Sequence, residues 1–255
     1  MKIRWTNCEL SVPPEREAEN IAKSKARKLQ GLSKFARPPL AVVGGGPSAV
    51  DYVDELRGWA GDMWVSGSAF QWVKSLGVVN PTFFTIDQHP RLAADGVGAK
   101  KAILATCCDP LVFHELRDAK VEVFDLVHGG EGANHWATTV TAAPKIALDM
   151  GYTDITFYGC DSSYRNRTHA YYDEPVIGML RVSSNGESFL TNPGFLLQAE
   201  FLCKVIGQFP TVFKMRGDGL LAAMVKSQDH DITHGERSLA ERINKGFTDK
   251  EHHHG

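Results

Sequence analysis

Short hydrophobic runs recur between residues 40 and 158, and most give way to glycine, serine or aspartate before a longer amphipathic segment. LAVV at 40–43, MWV at 63–65, TFFTI at 82–86, AILAT at 102–106, VEVFDLV at 121–127 and ITFY at 155–158 have the length of buried strands. Segments 49–59, 70–76 and 138–150 space their apolar residues as helices do, and Gly151 is placed to cap the last of them. Strands alternating with helices predict parallel β-α-β units. The expected fold is therefore α/β, a Rossmann-like, doubly wound and mostly parallel sheet.

The rhythm differs at both ends. Residues 15–37 predict a basic, polar, solvated helix that Pro38 and Pro39 stop. Beyond Asp161, segments 179–182 and 188–190 predict a β-hairpin turning at Asn185-Gly186. An amphipathic helix over 195–208 and a short strand over 211–215 complete a small C-terminal lobe. From Ser227 onward the chain is charged and histidine-rich. The expected organisation is an N-terminal helical segment (1–38), a Rossmann-type domain (39–226) and a polar C-terminal tail (227–255).

Composition narrows the function. The chain has 255 residues, 43% of them hydrophobic and 23% charged, enough for a sizeable core without staples. Lys and Arg number 28 against 30 Asp and Glu, a net charge of −2, which argues against a nucleic-acid partner held by a basic surface. Cys8, Cys107, Cys108, Cys160 and Cys203 show no C-x-x-C spacing and suit neither a disulfide framework nor a zinc site. No metal site is expected. His252, His253 and His254 read as a tag remnant. No run approaches the roughly 18 apolar residues of a membrane span, and the start lacks a signal-type apolar stretch, so a reducing cytoplasm is the expected compartment.

In an open α/β sheet, ligands bind beyond the carboxyl ends of the strands, so the residues after each run are the candidates. Gly44, Gly45, Gly46, Pro47 and Ser48 are the strongest. Three glycines between a strand and a helix let the backbone approach a ligand, with N–H groups and a helix start suited to phosphate. The loop is neither a Walker A sequence nor a G-x-G-x-x-G fingerprint. A tight strand–helix turn with no ligand would need the same glycines. Gly67, Ser68 and Asp87 follow the next two runs and suit a nucleoside, although a strand-end Asp is also a common helix cap. Asp161 faces the same choice. His169 is the candidate general base, because Tyr164, Arg165, Arg167, Tyr171 and Tyr172 surround it in sequence and such donors suit a departing phosphate. Asn134 and Thr138, at the start of the 138–150 helix, are further candidates for the pocket, as is the neighbouring His135.

These motifs together carry a family resemblance. GGGPS at 44–48 is similar to the G-x-G-P-S loop of the 6-hydroxymethylpterin diphosphokinase MptE-like superfamily. That group includes the Maf-type flagellin glycosyltransferases and looks distantly like the bacterial CMP-sialic acid sialyltransferases. The block from Thr138 to Tyr164, then Thr168-His169-Ala170, the hairpin at 186–191 with its helix, and Gly217-Asp218-Gly219 resemble the family's later motifs in order and spacing.

The resemblance implies a nucleotide-dependent transferase of the cytoplasm, its catalytic unit being residues 39–226. A glycosyltransferase with a CMP- or UDP-type nucleotide-sugar donor and a small-molecule, glycan or protein acceptor is favoured. His169, Asp161, Tyr164 and Arg167 would be its catalytic residues. The alternative is a Mg²⁺- and ATP-dependent diphosphokinase of a pterin-like alcohol; a second is a non-catalytic nucleotide-binding accessory protein. Two departures bear on the choice. The acidic pair expected of the diphosphokinases is a single Asp87 here. The sialyltransferases' histidine before the long helix is replaced by Leu190-Thr191-Asn192, which leaves His169 as the base. A homo-oligomer is left open.

Overall fold

The structure is a computed structural model, and it describes residues 12–125, 138–173 and 179–227. In chain order the elements are α1 (Pro14–Ala26), β1 (Gln30–Gly31), β2 (Leu40–Val43), α2 (Val53–Arg57), β3 (Asp62–Ser66), α3 (Phe70–Ser75), β4 (Thr82–Thr85), α4 (Leu92–Asp95), β5 (Lys101–Ala105), α5 (Pro110–Glu115) and β6 (Lys120–Phe124). They continue as α6 (Thr139–Asp149), β7 (Ile155–Tyr158), β8 (Leu180–Ser184), β9 (Glu187–Thr191), α7 (Pro193–Gln208), β10 (Phe213–Met215) and α8 (Leu220–Lys226). Short 3₁₀ turns, Pro47–Tyr52 and Gly67–Ala69, lead into α2 and α3.

The main sheet runs β1-β6-β5-β4-β3-β2-β7-β10, and every neighbouring pair is parallel. Strands β2, β4 and β7 are buried at every residue. This is the pattern of strands covered on both faces, and it explains why their sequences are continuous apolar runs rather than alternating ones. The core is aromatic at its centre, where Trp64 packs 5.1 Å from Phe84 and edge-on at 5.4 Å to Tyr152. From β2 the chain winds outward through β3 to β6, then returns to place β7 on the other side of β2 and β10 beyond it. The order therefore reverses between β2 and β7, the topological switch point.

The expected α/β doubly wound architecture is present, with differences at its margins. The helix expected over 15–37 ends at Ala26, because Lys28 adopts φ +52° and the chain turns to pair Gln30 with Glu122 at the sheet edge. The helix expected over 49–59 begins as a 3₁₀ turn with Ala49 N–H bonded to the Gly46 carbonyl; β-branched and aromatic residues at 50, 52 and 53 favour an α-helix weakly. Gly151 ends α6 as expected: it follows Met150 at φ +95°, with its N–H donating to the Leu148 carbonyl and the Tyr152 N–H to the Ala147 carbonyl. β6 stops at Phe124, before residue 127. After Asp161 the chain adds a separate two-stranded antiparallel sheet, β8–β9, turning at Asn185-Gly186 with φ of +51° and +77°. β10 rejoins the main sheet as its edge strand. The tail beyond 227 lies outside the described residues.

Helix α5, absent from the sequence reading, begins with Asp109 accepting from Leu111 N–H at 2.9 Å and Pro110 at the first turn. Asp109 is 1% exposed and also holds the Arg16 guanidinium of α1 at 2.8 Å. Asp109→Ala is expected to lower the unfolding free energy by about 1–2 kcal/mol, through loss of the cap and an orphaned N–H. Urea denaturation checks it; an unchanged midpoint would show that Asp109 is dispensable. Among the described residues no helix is long and apolar enough to cross a membrane.

Candidate functional site

Parallel register aligns Val43 at the end of β2 with Tyr158 at the end of β7, so the loops that follow them leave the sheet side by side. They are sewn together. Gly44 N–H donates to the Tyr158 carbonyl and Gly46 N–H to the Gly159 carbonyl, both at 2.8 Å. Ser48 N–H donates to Asp161 Oδ2 at 2.7 Å, and the Ser48 hydroxyl donates to Asp161 Oδ1.

The sequence suggested that the amides of Gly44–Ser48 point outward at a phosphate. Three of them instead point inward, Pro47 has none, and the Asp161 carboxylate takes the place at the helix start. Among the described residues only the Gly45 N–H is left without an acceptor along this loop.

Asp161 is 2% exposed, and burial pushes its carboxyl above the usual range. The two Ser48 hydrogen bonds and the Arg165 guanidinium pull it back, while Asp218 pushes it up. Room for this carboxylate depends on glycine. A Cβ on Gly46 would lie 2.6 Å from Asp161 Oδ2, and one on Gly219 would lie 2.6 Å from the Asp161 carbonyl oxygen. The Gly217-Asp218-Gly219 loop after β10 thus closes over Asp161. Asp218 and Asp51 both pair with Arg165, the latter at 2.7 Å, which ties the 165 region to the 3₁₀ turn after β2.

The segment after Asp161 folds back over the glycine loop. Ala170 N–H donates to the Gly45 carbonyl at 3.0 Å. His169 and Tyr171 stand over Gly45, at 3.5 and 3.2 Å from where its Cβ would be. The His169 ring stacks on Tyr172 with centroids 4.2 Å apart and planes 8° apart, and Thr168 Oγ1 lies 3.2 Å from its Nδ1. Asp173 fixes this turn by accepting Thr168 N–H at 2.7 Å. Tyr171 stacks against Trp72 of α3, with ring centroids 6.0 Å apart. Tyr164 accepts from the Asn192 amide in front of α7. Arg167 is half-buried, and its guanidinium makes no ion pair among the described residues.

The remaining candidates flank this centre. Thr138 caps α6 through a capping box, and its hydroxyl donates to Gln198 Oε1 at 2.6 Å. Gln198 in turn donates to Ser162 Oγ at 2.9 Å. Ile86 N–H reaches Thr139 Oγ1 at 3.5 Å, which brings the end of β4 to the start of α6. There Asp87 accepts from His89 N–H at 2.9 Å and sits 4.0 Å from Arg91, while its own N–H donates to Thr85 Oγ1. Gly67 backs onto the same Thr85 hydroxyl, and Ser68 beside it is exposed. Asn134 and His135 lie outside the described residues. Asn192 and Gln198 are connections the sequence reading missed; Asn192 before Pro193 carries a legible N-cap signal, whereas nothing near Gln198 points to Ser162. Among the described residues no group of three or more His, Cys, Asp or Glu side chains is placed to hold a metal ion.

The fold is that of a doubly wound, Rossmann-like α/β protein with its topological switch point between β2 and β7, the position where such sheets generally bind ligands. No protein-family model and no curated protein sequence matches the chain. Among solved structures it is similar to a Maf glycosyltransferase from Magnetospirillum magneticum AMB-1, with a TM-score of 0.57 and 17% sequence identity over 86% of this chain. The chain spans 41% of that protein's length. Of the families the sequence resembles, the Maf glycosyltransferases are thus the one that a solved structure supports, at the level of the fold.

Proposed function

We propose that the chain is a glycosyltransferase that takes a nucleotide-activated sugar of CMP or UDP type in the β2/β7 crevice. The observation that carries this reading is the meeting of Gly45 with His169 and Tyr171 at the switch point. The donor phosphate would approach the loop at Gly45 and take its N–H, the amide that the loop leaves without an acceptor. Arg167 and Tyr164 would meet its charge. Gly67, Ser68 and Asp87 would contact the nucleoside, and Thr138 would fix the wall formed by α6. Asp161, with both carboxylate oxygens engaged, holds the loop in place rather than exchanging protons.

In the transfer the acceptor oxygen bonds to the anomeric carbon as that carbon's bond to the donor phosphate breaks. The acceptor's proton goes to His169, and the electron pair of the broken bond leaves on the phosphate. Stabilising that departing charge more strongly than the bound donor is what accelerates the step.

Calorimetric titration with CMP-, UDP- and GDP-sugars tests the reading. One class is expected to bind saturably, and Arg167→Ala is expected to weaken it about tenfold or more, since a hydrogen bond to a charged group is lost. Absence of binding by all three at millimolar ligand overturns the proposal. Release of AMP from ATP with strict Mg²⁺ dependence would replace it with the diphosphokinase reading.

A further inference from the structure

Because every neighbouring pair in the main sheet is parallel, its strands all begin at one edge and end at the other. The glycine loop, Asp161 and His169 belong to the carboxyl edge. The amino edge, one strand length away, takes no part in the proposed transfer and carries a different surface.

Its charge is basic. The loops entering β2 to β7 and β10, with the first residue of each strand, hold Lys34, Arg37, Lys100, Lys101, Arg117 and Lys120 against Asp62, Asp118 and Asp154. Six cations thus meet three anions on one edge of a chain whose net charge is −2. The cations converge: Arg37, Lys101 and Lys120 line one recess, and Lys100 beside Lys101 in the chain is exposed.

The same loops carry apolar tips. Among the described residues six large apolar side chains are exposed, and four of them stand here, Phe35 at 56%, Val79 at 82%, Val97 at 47% and Phe209 at 43%. A single exposed valine is ordinary, but four such side chains gathered at one edge of a sheet mark an interaction surface. Tips and cations are interspersed. The Arg37 guanidinium lies 3.6 Å from the centre of the Phe35 ring, and Val97 shares its loop with Lys100.

A globular partner buries a packed apolar centre inside a polar rim. Here the apolar side chains sit on four separate loops with cations between them, which gives no such centre. A lipid surface suits this arrangement, because its headgroup boundary receives each tip separately while lysine stems reach to the headgroups. A cluster of this size and sign selects anionic headgroups. We propose that the amino edge of the sheet docks on an anionic lipid bilayer, with Phe35, Val79 and Val97 entering the headgroup boundary and Lys100, Lys101 and Lys120 meeting the lipid charges. The carboxyl edge then faces water, where donor and acceptor reach it.

Co-sedimentation of the full chain with phosphatidylcholine vesicles, alone or with phosphatidylglycerol as about one lipid in four, is the test. The chain is expected to pellet with the mixed vesicles at low salt, to leave them at high salt as exposed charges are screened, and to stay off the neutral ones. Lys100→Glu combined with Lys101→Glu, both at exposed positions, is expected to weaken binding to mixed vesicles about tenfold or more while nucleotide-sugar binding is unchanged. Phe35→Ser is expected to weaken vesicle binding a few-fold with the same salt dependence, and it carries the test should the double variant fail to fold. The proposal is overturned if the chain pellets with neither kind of vesicle, if neutral vesicles bind as well as mixed ones, or if binding survives the substitutions. Binding to polyglutamate but not to vesicles would assign the edge to an acidic peptide and overturn it equally.

Discussion

His169→Ala is expected to lower turnover by about 10²- to 10⁴-fold while leaving donor binding within a few-fold of the unsubstituted protein, the usual contribution of a positioned general base. The separation of the two effects follows from the geometry. The segment carrying His169 is held by main-chain contacts, Ala170 N–H to the Gly45 carbonyl and His169 N–H to the Tyr172 carbonyl, neither of which needs the imidazole. Asp173 fixes the turn independently through Thr168 N–H. Removing the ring therefore takes away a proton acceptor without releasing the loop that covers the glycines. Steady-state kinetics with the donor identified by calorimetry, together with a binding isotherm for the variant, make the comparison. Turnover that survives the substitution would move the base to another group. A collapse of binding with turnover would instead show that the imidazole acts by packing on Tyr172.

The architecture was legible because its signals are local. Runs such as LAVV and ITFY declare strands covered on both faces, and Asn185-Gly186 declares its turn. The short elements were not. Gln30–Gly31 is a strand only because β6 offers an unpaired edge, and helices as short as α4 have too few turns for a period to register. Asp109-Pro110 carries a cap and a first-turn proline for α5, a signal that the reading of the hydrophobic runs passed over. The glycine loop does sit at the switch point, but three of its amides are bonded within the protein rather than turned outward. Nothing around Ser48 indicates that a carboxylate 113 residues away will take its N–H, nor around Gly217 that its missing side chain makes room for that carboxylate.

Asp161→Ala is expected to destabilise the fold by about 3 kcal/mol. Two donors of Ser48, buried at the switch point, lose their acceptor together, and an unpaired buried donor costs about 1–3 kcal/mol. Part of that loss is offset because a buried anion disappears. Asp161→Asn separates the two terms. Its carbonyl accepts the Ser48 N–H, and the Ser48 hydroxyl turns to accept from the new amide, so the expected cost is only about 1 kcal/mol. The pH dependence carries the sign of the buried charge. Burial raises the folded-state carboxyl above its unfolded value, so the folded state holds its proton more tightly than the unfolded chain does. That contribution is fully present below the unfolded carboxyl pKa of about 4 and is lost as pH rises through the folded-state value. The stability of the unsubstituted protein relative to Asp161→Asn should therefore be greatest in acid and decline toward neutrality, as measured by urea denaturation across that range. A difference that stays constant or grows with pH would mean that Ser48 and Arg165 together outweigh burial, and that the carboxylate at the switch point is held as a favourable anion.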